Sequence, residues 1–296
     1  MIEKDTLKKL ILSLDNKNKT EGIKKTYCKE INLGRTSKAM PSSPEFNEPG
    51  ILFVANGEKK CNVGDKEYIY GSGDFLITLL PMPVFGEISK ASSTNPFMAI
   101  GIKIDTNRLA KIENKINQTE GPYLKNFNTN PSGIIASSAS EKLLDTMIRL
   151  IDIVCNPNDF SVLGEGILDE LYYRILCDST GGNIRALLKN RNQVKQISNA
   201  VSYIHNNIEK QISVDELADL VFMSRTAFYT AFKKIMHVSP LQYTKSVKLS
   251  KANILLSEGK KTNEAGYLVG YNSPAQFSRE YKRYFGINPS EIRQKI

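Results

Sequence analysis

Hydrophobic positions near the carboxyl end of the chain recur with the spacing of an amphipathic helix. Phe228, Ala231, Phe232 and Ile235 follow one another at intervals of three and four residues and would share one helical face. The opposite face would carry polar and basic residues: Arg225, Thr226, Tyr229, Thr230, Lys233 and Lys234. Ser224 stands in the position of an N-cap. The pattern predicts a helix beginning at Ser224 with one buried and one polar face.

A shorter helix is predicted just before it. Ser213 and Glu216 have the spacing of a capping box, in which each side chain satisfies a free amide of the first turn. Apolar residues follow at helical spacing: Leu217, Ala218, Leu220 and Val221. Two short helices joined by a tight turn are typical of a helix-turn-helix. A single copy would equally fit a plain helical hairpin whose charges face water.

The motif occurs twice. Phe228, Phe232 and Pro240 return as Phe277, Tyr281 and Pro289, each 49 positions later, and the caps Ser224 and Ser273 keep that offset. The second turn is one residue longer, and Ser273 is followed by Pro274, which is tolerated at the first position of a helix. Between the copies one connecting helix is predicted from Pro240, with a buried stripe of Leu241, Tyr243, Val247, Leu249, Ala252, Leu255 and Leu256. Duplication favours the helix-turn-helix interpretation.

The first third of the chain has the pattern of short strands. Runs rich in β-branched and aromatic residues lie at 51–55, 59–63, 66–70, 75–80 and 97–104, with turn sequences at Asn56-Gly57, Gly64-Asp65 and Gly71-Ser72-Gly73-Asp74. Many short strands with frequent turns favour a small antiparallel barrel or a sandwich. Pro81, Pro83 and Pro96 should then lie at strand ends or edges.

Amphipathic helices are predicted between this region and the repeat. A short helix near 107–116 precedes a loop rich in Asn, Pro and Gly. Two longer helices follow, one capped by Ser140 and ended by Asn156-Pro157, the other with an apolar stripe from Leu163 to Leu176. Their wide stripes fit either packing across a two-fold axis or cover for the strands of the same chain. A last helix is predicted over 193–207, and His205 at its end is expected to cap it or to lie on the surface.

Net charge supports a nucleic-acid partner. The chain carries a formal charge of +9 over 296 residues. From Gln196 onward there are 14 Lys and Arg and 8 Asp and Glu, so the excess of positive charge is concentrated around the repeated motif, as phosphate contacts require.

The sequence contains no run of eighteen apolar residues and no typical signal peptide. It therefore predicts a cytoplasmic protein that does not bind a membrane.

The repeated region resembles the DNA-binding domain of the AraC/XylS family of bacterial transcription regulators. The resemblance rests on SxxxFxxxFKKxxxxSPLQY, then KLSKANILL, then AGYLVGYNSPAQFSREYKRYFGINPSEIR. It implies an all-α domain over 196–296, whose recognition helices, about 224–237 and 273–285, enter successive major-groove segments of double-stranded DNA. Three positions depart from the family pattern: Ala265-Gly266, which should weaken a helix, Thr230 in place of a frequent arginine, and His237 in place of a left-handed glycine.

The segment GEKKCNVGDKEYIYGSGDFLIT resembles the cupin-like regulatory domain of the same family. This resemblance implies an α+β protein: an antiparallel β-barrel with helices over 1–180, a linker over 181–195, and then the DNA-binding domain. By family analogy the chain would be a homodimer that engages RNA polymerase and is controlled by a small-molecule effector bound in the barrel. The alternative, a barrel packed shut without ligand, stays open.

Side-chain chemistry divides the outward positions of the two recognition helices into two groups. Base-edge contacts are predicted for Arg225, Thr226, Tyr229, Thr230, Ala275, Gln276 and Arg279, because Gln pairs with adenine and Arg with guanine. Phosphate contacts are predicted for Ser224, Lys233, Lys234, Ser273, Lys282 and Arg283. For each lysine, a solvated surface charge is the plain alternative.

The competing class of protein is an enzyme, and the sequence contains few features that would support it. His205 and His237 are the only histidines, and both lie outside the strand region, so a histidine-ligated metal in the barrel is excluded. No phosphate loop or nucleophile elbow is present, and the four cysteines are too scattered for a zinc site or a DNA-repair centre. No cofactor or metal is expected. A cupin-like enzyme, or a redox or electrophile sensor using Cys61, remains as the alternative, against Cys61 as buried filler.

Overall fold

The computed structural model describes residues 4–118, 132–178, 181–189 and 191–294. Ten strands form two antiparallel sheets. The bounds are β1 Gly22–Lys25, β2 Ile31–Thr36, β3 Met40–Asn47, β4 Gly50–Asn56, β5 Glu58–Val63, β6 Lys66–Gly71, β7 Asp74–Thr78, β8 Met82–Lys90, β9 Phe97–Lys103 and β10 Ile134–Ser138. Sheet A has the order β1-β2-β9-β4-β7-β10, and sheet B the order β3-β8-β5-β6. The loop predicted after the helix near 107–116 lies largely outside the described residues.

The five predicted strands are confirmed, and the turns between them carry glycines with positive φ, at Gly57, Gly64 and Gly73. The prolines also lie where expected. Pro83 is the second residue of β8 and pairs only with β3, while Pro96 directly precedes β9. The barrel expectation needs one refinement, because no hydrogen-bonded ladder joins the two sheets within the described residues. The domain is an open pair of facing sheets.

Helices cover the outer face of sheet A. They are α1 Lys4–Lys17, α2 Thr106–Gln118, α3 Glu141–Val154, α4 Pro157–Cys177 and α5 Gly181–Lys189. Phe53, Phe75 and Ile100 of the sheet form one continuous core with the apolar stripes of α3 and α4. Apart from Leu163, which is exposed, these stripes therefore pack within the chain, as cover for the strands. Ser140 precedes α3 but makes no side-chain capping bond, so that part of the prediction is wrong, whereas Asn156 caps α4 through the amides of Asn158 and Asp159.

The carboxyl-terminal region is all helical. It comprises α6 Arg191–Asn206, α7 Val214–Leu220, α8 Arg225–Met236, α9 Pro240–Ser257, α10 Thr262–Leu268 and α11 Pro274–Phe285, followed by a short 3-10 turn, Pro289–Gln294. We call α7 with α8 unit 1 and α10 with α11 unit 2. The predicted linker 181–195 coincides with α5 and the beginning of α6. Across the described residues, no helix is long and apolar enough to cross a bilayer.

The helical region has two hydrophobic cores, and one of them also contains residues of the sheets. Phe228, Phe232 and Tyr243 of unit 1 and α9 share a core with Val63, Tyr70 and Met82 of the facing sheets. Unit 2 has a separate, smaller core built on Phe277, Tyr281 and the second half of α9. Unit 1 is thus packed against the sheet domain, and unit 2 mainly on the connecting helix.

Candidate nucleic-acid interface

Unit 1 is built as the sequence predicts. The Ser224 hydroxyl accepts a hydrogen bond from the Ala227 amide and so begins α8. Phe228 and Phe232 are fully buried and their ring centroids lie 5.6 Å apart, which fixes the rotation of α8 about its axis. Ser213 caps α7 through the amide of Glu216, but the Glu216 carboxylate accepts from the Tyr203 hydroxyl. Only half of the predicted capping box is therefore formed.

Unit 2 repeats this construction with its own contacts. Ser273 caps α11 through the Gln276 amide, and Pro274 occupies the first turn. Tyr281 is fully buried, and its hydroxyl donates to Asn253 Oδ1 of α9 at 2.6 Å. A Cβ at Gly266 would lie 3.0 Å from the Phe277 ring. Close packing of α10 on α11 therefore accounts for a glycine inside α10, which the sequence alone presented as a weakness.

The outward faces of α8 and α11 carry the predicted DNA-contacting residues. All seven base-reading candidates are exposed: Arg225, Thr226, Tyr229, Thr230, Ala275, Gln276 and Arg279. Of the six phosphate candidates, Ser224, Lys233, Lys234, Lys282 and Arg283 are exposed and Ser273 is half-buried beside its capping bond. The structure thus leaves the polar faces of both recognition helices accessible.

The charged candidates differ in their surroundings. Arg225 forms an exposed ion pair with Asp215 of α7, at 3.1 Å. Lys233, Lys234, Arg279 and Lys282 have no hydrogen-bond or ion-pair partner among the residues that the structure describes. Arg283 lines a cleft that also contains Phe85 of sheet B. Four cations on the two helices are therefore available for phosphate or base oxygens.

Among the base-reading candidates, Gln276 is held by a hydrogen-bond network that is centred on Glu280. Glu280, one turn later on α11, accepts from Gln276 Nε2 at 3.2 Å and from Lys245 Nζ at 3.2 Å on the same oxygen. Its other oxygen accepts from the Tyr271 hydroxyl at 2.9 Å. Sequence reasoning missed Glu280, because its partners come from α9, from the turn before α11 and from α11 itself.

The two turns of the repeat use left-handed backbone at corresponding positions. In unit 1 these are Phe222, φ 56°, and His237, φ 59°. In unit 2 they are Gly270, φ 80°, and Gly286, φ 75°. The left-handed conformation predicted for His237 is confirmed. Phe222 is 94% exposed, so its strained backbone is not explained by burial of its ring.

His237 also ties unit 1 to the sheets. Its Nε2 lies 2.7 Å from the Ser132 hydroxyl, and the Gly133 amide donates to the Ile235 carbonyl at 2.9 Å. A side chain at Gly64 would collide with the His237 carbonyl. Burial, with Lys66 nearby, lowers the pKa of His237 to about 4 against a weaker opposite effect of Asp65, so the ring is neutral in the folded protein at neutral pH.

His205 lies in the same contact between the domains. Its Nε2 is 3.0 Å from the Tyr243 hydroxyl, which donates to the Pro81 carbonyl at 2.9 Å. The Phe46 ring of β3 packs edge-on against His205, with centroids 5.4 Å apart, and burial lowers the pKa of His205. The expectation of a capping or surface histidine is therefore wrong, because tertiary packing covers the end of α6.

A groove of about 570 Å³ opens between the two sheets. Phe46, Leu52 and Leu76 supply apolar lining, and Lys29 and Lys103 stand among its polar residues. Phe46 thus touches both the groove and the helical region.

The two buried thiols, Cys28 and Cys61, do not have the properties of reactive cysteines. Burial raises the pKa of the Cys61 thiol to about 12, and burial with a hydrogen bond to Glu30 raises that of Cys28 to about 11. Both are therefore protonated at neutral pH and poor nucleophiles. Among the described residues, no group of three or more His, Cys, Asp and Glu side chains could hold a metal ion.

Two helix-turn-helix units on one connecting helix, each with a polar and basic outward face, define a DNA-binding regulator. Its sheet domain, with a groove and a direct contact to unit 1, has the construction of a regulatory domain.

Comparison with known proteins gives the family. Residues 27–183 match the model described as the AraC-type transcriptional regulator N-terminus, and residues 217–295 match a helix-turn-helix domain. The first match alone spans more than half of the chain. The chain therefore belongs to the AraC family of transcriptional regulators.

Individual relatives agree with this assignment. The Msm operon regulatory protein of Streptococcus mutans is 26% identical over 257 residues, which is 83% of this chain and 84% of that protein. AlkR of Acinetobacter baylyi is 38% identical over 101 residues, 34% of this chain and 33% of its own length. LumQ of Photobacterium leiognathi is 33% identical over 90 residues, 30% of this chain and 36% of its own length. The chain thus spans about a third of the latter two.

A solved structure shows the same fold. ToxT of Vibrio cholerae superposes with a TM-score of 0.52 at 14% identity, covering 90% of this chain and 97% of that chain. A second structure of ToxT, bound to an unsaturated fatty acid, gives a TM-score of 0.50 at 14% identity over 92% of this chain and 96% of that one. At this identity the likeness establishes the architecture alone.

Proposed function

We propose that α8 and α11 read successive major-groove segments of one DNA site. The observation that carries the proposal is the exposure of all seven base-reading candidates on two helices whose opposite faces are buried. An α-helix fits the major groove, where side chains can reach base edges. Ser224 and Ser273 at the helix N-termini, with Lys233, Lys234, Lys282 and Arg283, fix the register on phosphates.

The two classes of contact can be separated by variants. A selection from random duplexes with the full chain first yields the preferred site. Arg279→Ala should then weaken binding to that site by about 1–3 kcal/mol and relax preference at one base pair. Lys233→Ala should weaken binding to preferred and scrambled duplexes alike and lower the salt slope by about one.

Lys111→Ala, at an exposed lysine of α2, serves as the charge-matched control and should leave both quantities unchanged. Titrations at several salt concentrations measure all three variants. Equal losses on preferred and scrambled duplexes for Arg279→Ala would sink its assignment as a base reader.

We also propose that the groove between the sheets binds the effector. Its apolar lining and its three lysines, Lys29, Lys59 and Lys103, which outnumber the carboxylates Glu30 and Glu48, suit a molecule with an apolar body and an anionic group. The ToxT structure with a bound fatty acid supports this class. Gly101 lines the groove, and a Cβ there would meet only the Asn32 carbonyl, at 4.0 Å. Gly101→Phe should therefore fill the groove without backbone strain.

Oleate is a suitable probe of this class. It should raise the melting temperature of the wild-type chain and change its affinity for the selected duplex, and both responses should disappear in Gly101→Phe. Lys111→Phe, at an exposed lysine of α2, adds the same side chain outside the groove and is the control, which should respond like the wild type. An unchanged response in Gly101→Phe would place the ligand elsewhere.

The remaining family properties are part of the same proposal. We infer that the chain acts in the cytoplasm as a binding protein and not as an enzyme, that it engages RNA polymerase, and that it forms a homodimer. Because the stripes of α3 and α4 are buried within the chain, the two-fold contact would use their exposed remainder, including Val162 and Leu163. Sedimentation equilibrium with Leu163→Glu tests this: a weaker dimer is expected, and an unchanged mass would exclude that surface.

A further inference from the structure

The Glu280 network constrains Gln276, the one side chain of α11 that can pair with a base through an amide. Glu280 is half-buried, whereas Gln276 is exposed. Lys245 and Tyr271 hold the Glu280 carboxylate from α9 and from the turn before α11. The carboxylate is therefore fixed by the fold, and the Gln276 amide is oriented against a fixed group.

The charge of Glu280 decides which way that amide points. Burial alone would raise the pKa of Glu280, but hydrogen bonds from Gln276, Tyr271 and Lys245 together hold it below the ordinary value. An ionised carboxylate only accepts hydrogen bonds. The Gln276 NH₂ group must face Glu280, and the carbonyl oxygen Oε1 must then point away from it.

We infer that Glu280 is a positioning residue that sets the base preference of unit 2 through Gln276. With one N–H engaged by Glu280, Gln276 presents an acceptor oxygen and one remaining N–H. In the major groove, adenine N6 and cytosine N4 are donors, whereas guanine O6 and thymine O4 are acceptors. Adenine, whose N7 can also accept the remaining N–H, should be preferred. The inference rests on the proposed function, in which α11 enters the major groove.

Unit 1 has no counterpart to this arrangement. The positions equivalent to Gln276 and Glu280 are Ala227 and Ala231, whose side chains form no hydrogen bonds. The outward residues Thr226 and Thr230 carry hydroxyls that can donate or accept. Only unit 2, of the two units, thus has an amide oxygen held in a fixed direction, where it would accept a hydrogen bond from a base. The two half-sites should differ accordingly, with one strongly specified adenine or cytosine on the unit 2 side.

The test compares base preferences of the full chain and its Glu280→Gln variant on random-duplex libraries. A neutral amide at 280 can donate to Gln276, so the Gln276 amide is free to turn. The wild type should favour adenine over guanine or thymine at one position by about tenfold, and the variant should reduce that ratio to about twofold. The other positions of the site should keep their preferences.

Two controls separate positioning from loss of structure or of charge. Glu264→Gln removes the same charge from the exposed surface of α10 and should leave base preference intact. In a Gln276→Met background, Glu280→Gln should have no further effect at the critical position. Melting temperatures of all variants show whether unit 2 stays folded.

The outcomes are distinguishable. An unchanged preference in Glu280→Gln, or a uniform loss across the whole unit 2 half-site, would overturn the inference while leaving the proposed function standing. A wild-type chain that selects no sequence at all would refute the proposed function, and the inference with it.

Discussion

The two helix-turn-helix units share one construction but stand in different surroundings. Unit 1 shares its core with the facing sheets and carries Phe222 and His237 at the left-handed positions. Unit 2 has a small core of its own and carries Gly270 and Gly286 there. The two units share a polar outward face but differ in their other contacts. This difference indicates that they have different roles. Unit 1 is joined to the regulatory domain through a shared core, whereas unit 2 meets sheet B through the packing of Tyr284 on Phe85, with ring centroids 5.5 Å apart. Unit 2 also holds the predicted base reader Gln276 against Glu280.

The largest expected difference between the units is in the size of the region that a core mutation destabilises. Phe232→Ala removes a fully buried ring packed 5.5 Å from Tyr243 and should cost about 3–5 kcal/mol. Because that core is shared, hydrogen exchange should accelerate in sheet B as well as in unit 1. Tyr281→Ala, the counterpart, should accelerate exchange mainly in α10 and α11. The same pattern in both variants would mean that the helical region unfolds as one unit.

A smaller effect is expected from pH at the His237 contact. The pKa of His237 is about 4 in the folded state and about 6.5 when unfolded. The stabilisation is therefore complete above pH 6.5 and is lost as pH falls towards 4. Wild type should lose about 1 kcal/mol more than His237→Asn between pH 7.5 and 5.5, since asparagine tolerates the left-handed conformation but does not titrate.

Urea unfolding at the two pH values measures this difference. Comparison with the variant is needed because burial also lowers the pKa of His205, which acts in the same direction. An identical loss in wild type and His237→Asn would show that the contact with Ser132 does not depend on the charge of the ring.

The smallest effect concerns Phe222. Replacing it with glycine, the residue of unit 2, relieves left-handed strain but gives the unfolded chain more freedom. We expect a net stabilisation of about 0.5 kcal/mol, seen as a small rise in the urea midpoint. Gly270→Phe is the reciprocal change and should be strongly destabilising, because a Cβ there would collide with the Glu209 carbonyl. A loss of stability in Phe222→Gly would reveal a contact of the phenyl ring that offsets the strain.

Sequence pattern predicted the parts of this fold that depend on local chemistry. The caps at Ser224 and Ser273 and most of the buried stripe of α9 depend on residues that are close together in the chain. Leu241, which was predicted to be part of that stripe, is 55% exposed. The strand β3, MPSSPEFN, was missed because it lacks apolar alternation; its backbone pairing with β8 and its position beside α9 and α11 make it a strand. Local pattern gives no account of an edge strand held by its neighbours.

Some features of the candidate site could likewise be predicted from the sequence, and others could not. The outward positions of both recognition helices follow from helical periodicity, and all of the predicted base readers are exposed. The Ser132–His237 and Phe46–His205 contacts join residues more than a hundred positions apart, and Glu280 has partners on three elements. Such contacts depend on how the elements pack, which periodicity does not specify.

Footprinting of the selected duplex tests most directly whether both units read DNA. Hydroxyl-radical cleavage and guanine methylation should reveal two protected segments on one face of the duplex, with centres about one helical turn apart, roughly 34–36 Å. Protection of a single segment, or of two segments on opposite faces, would contradict an account in which α8 and α11 occupy successive major grooves.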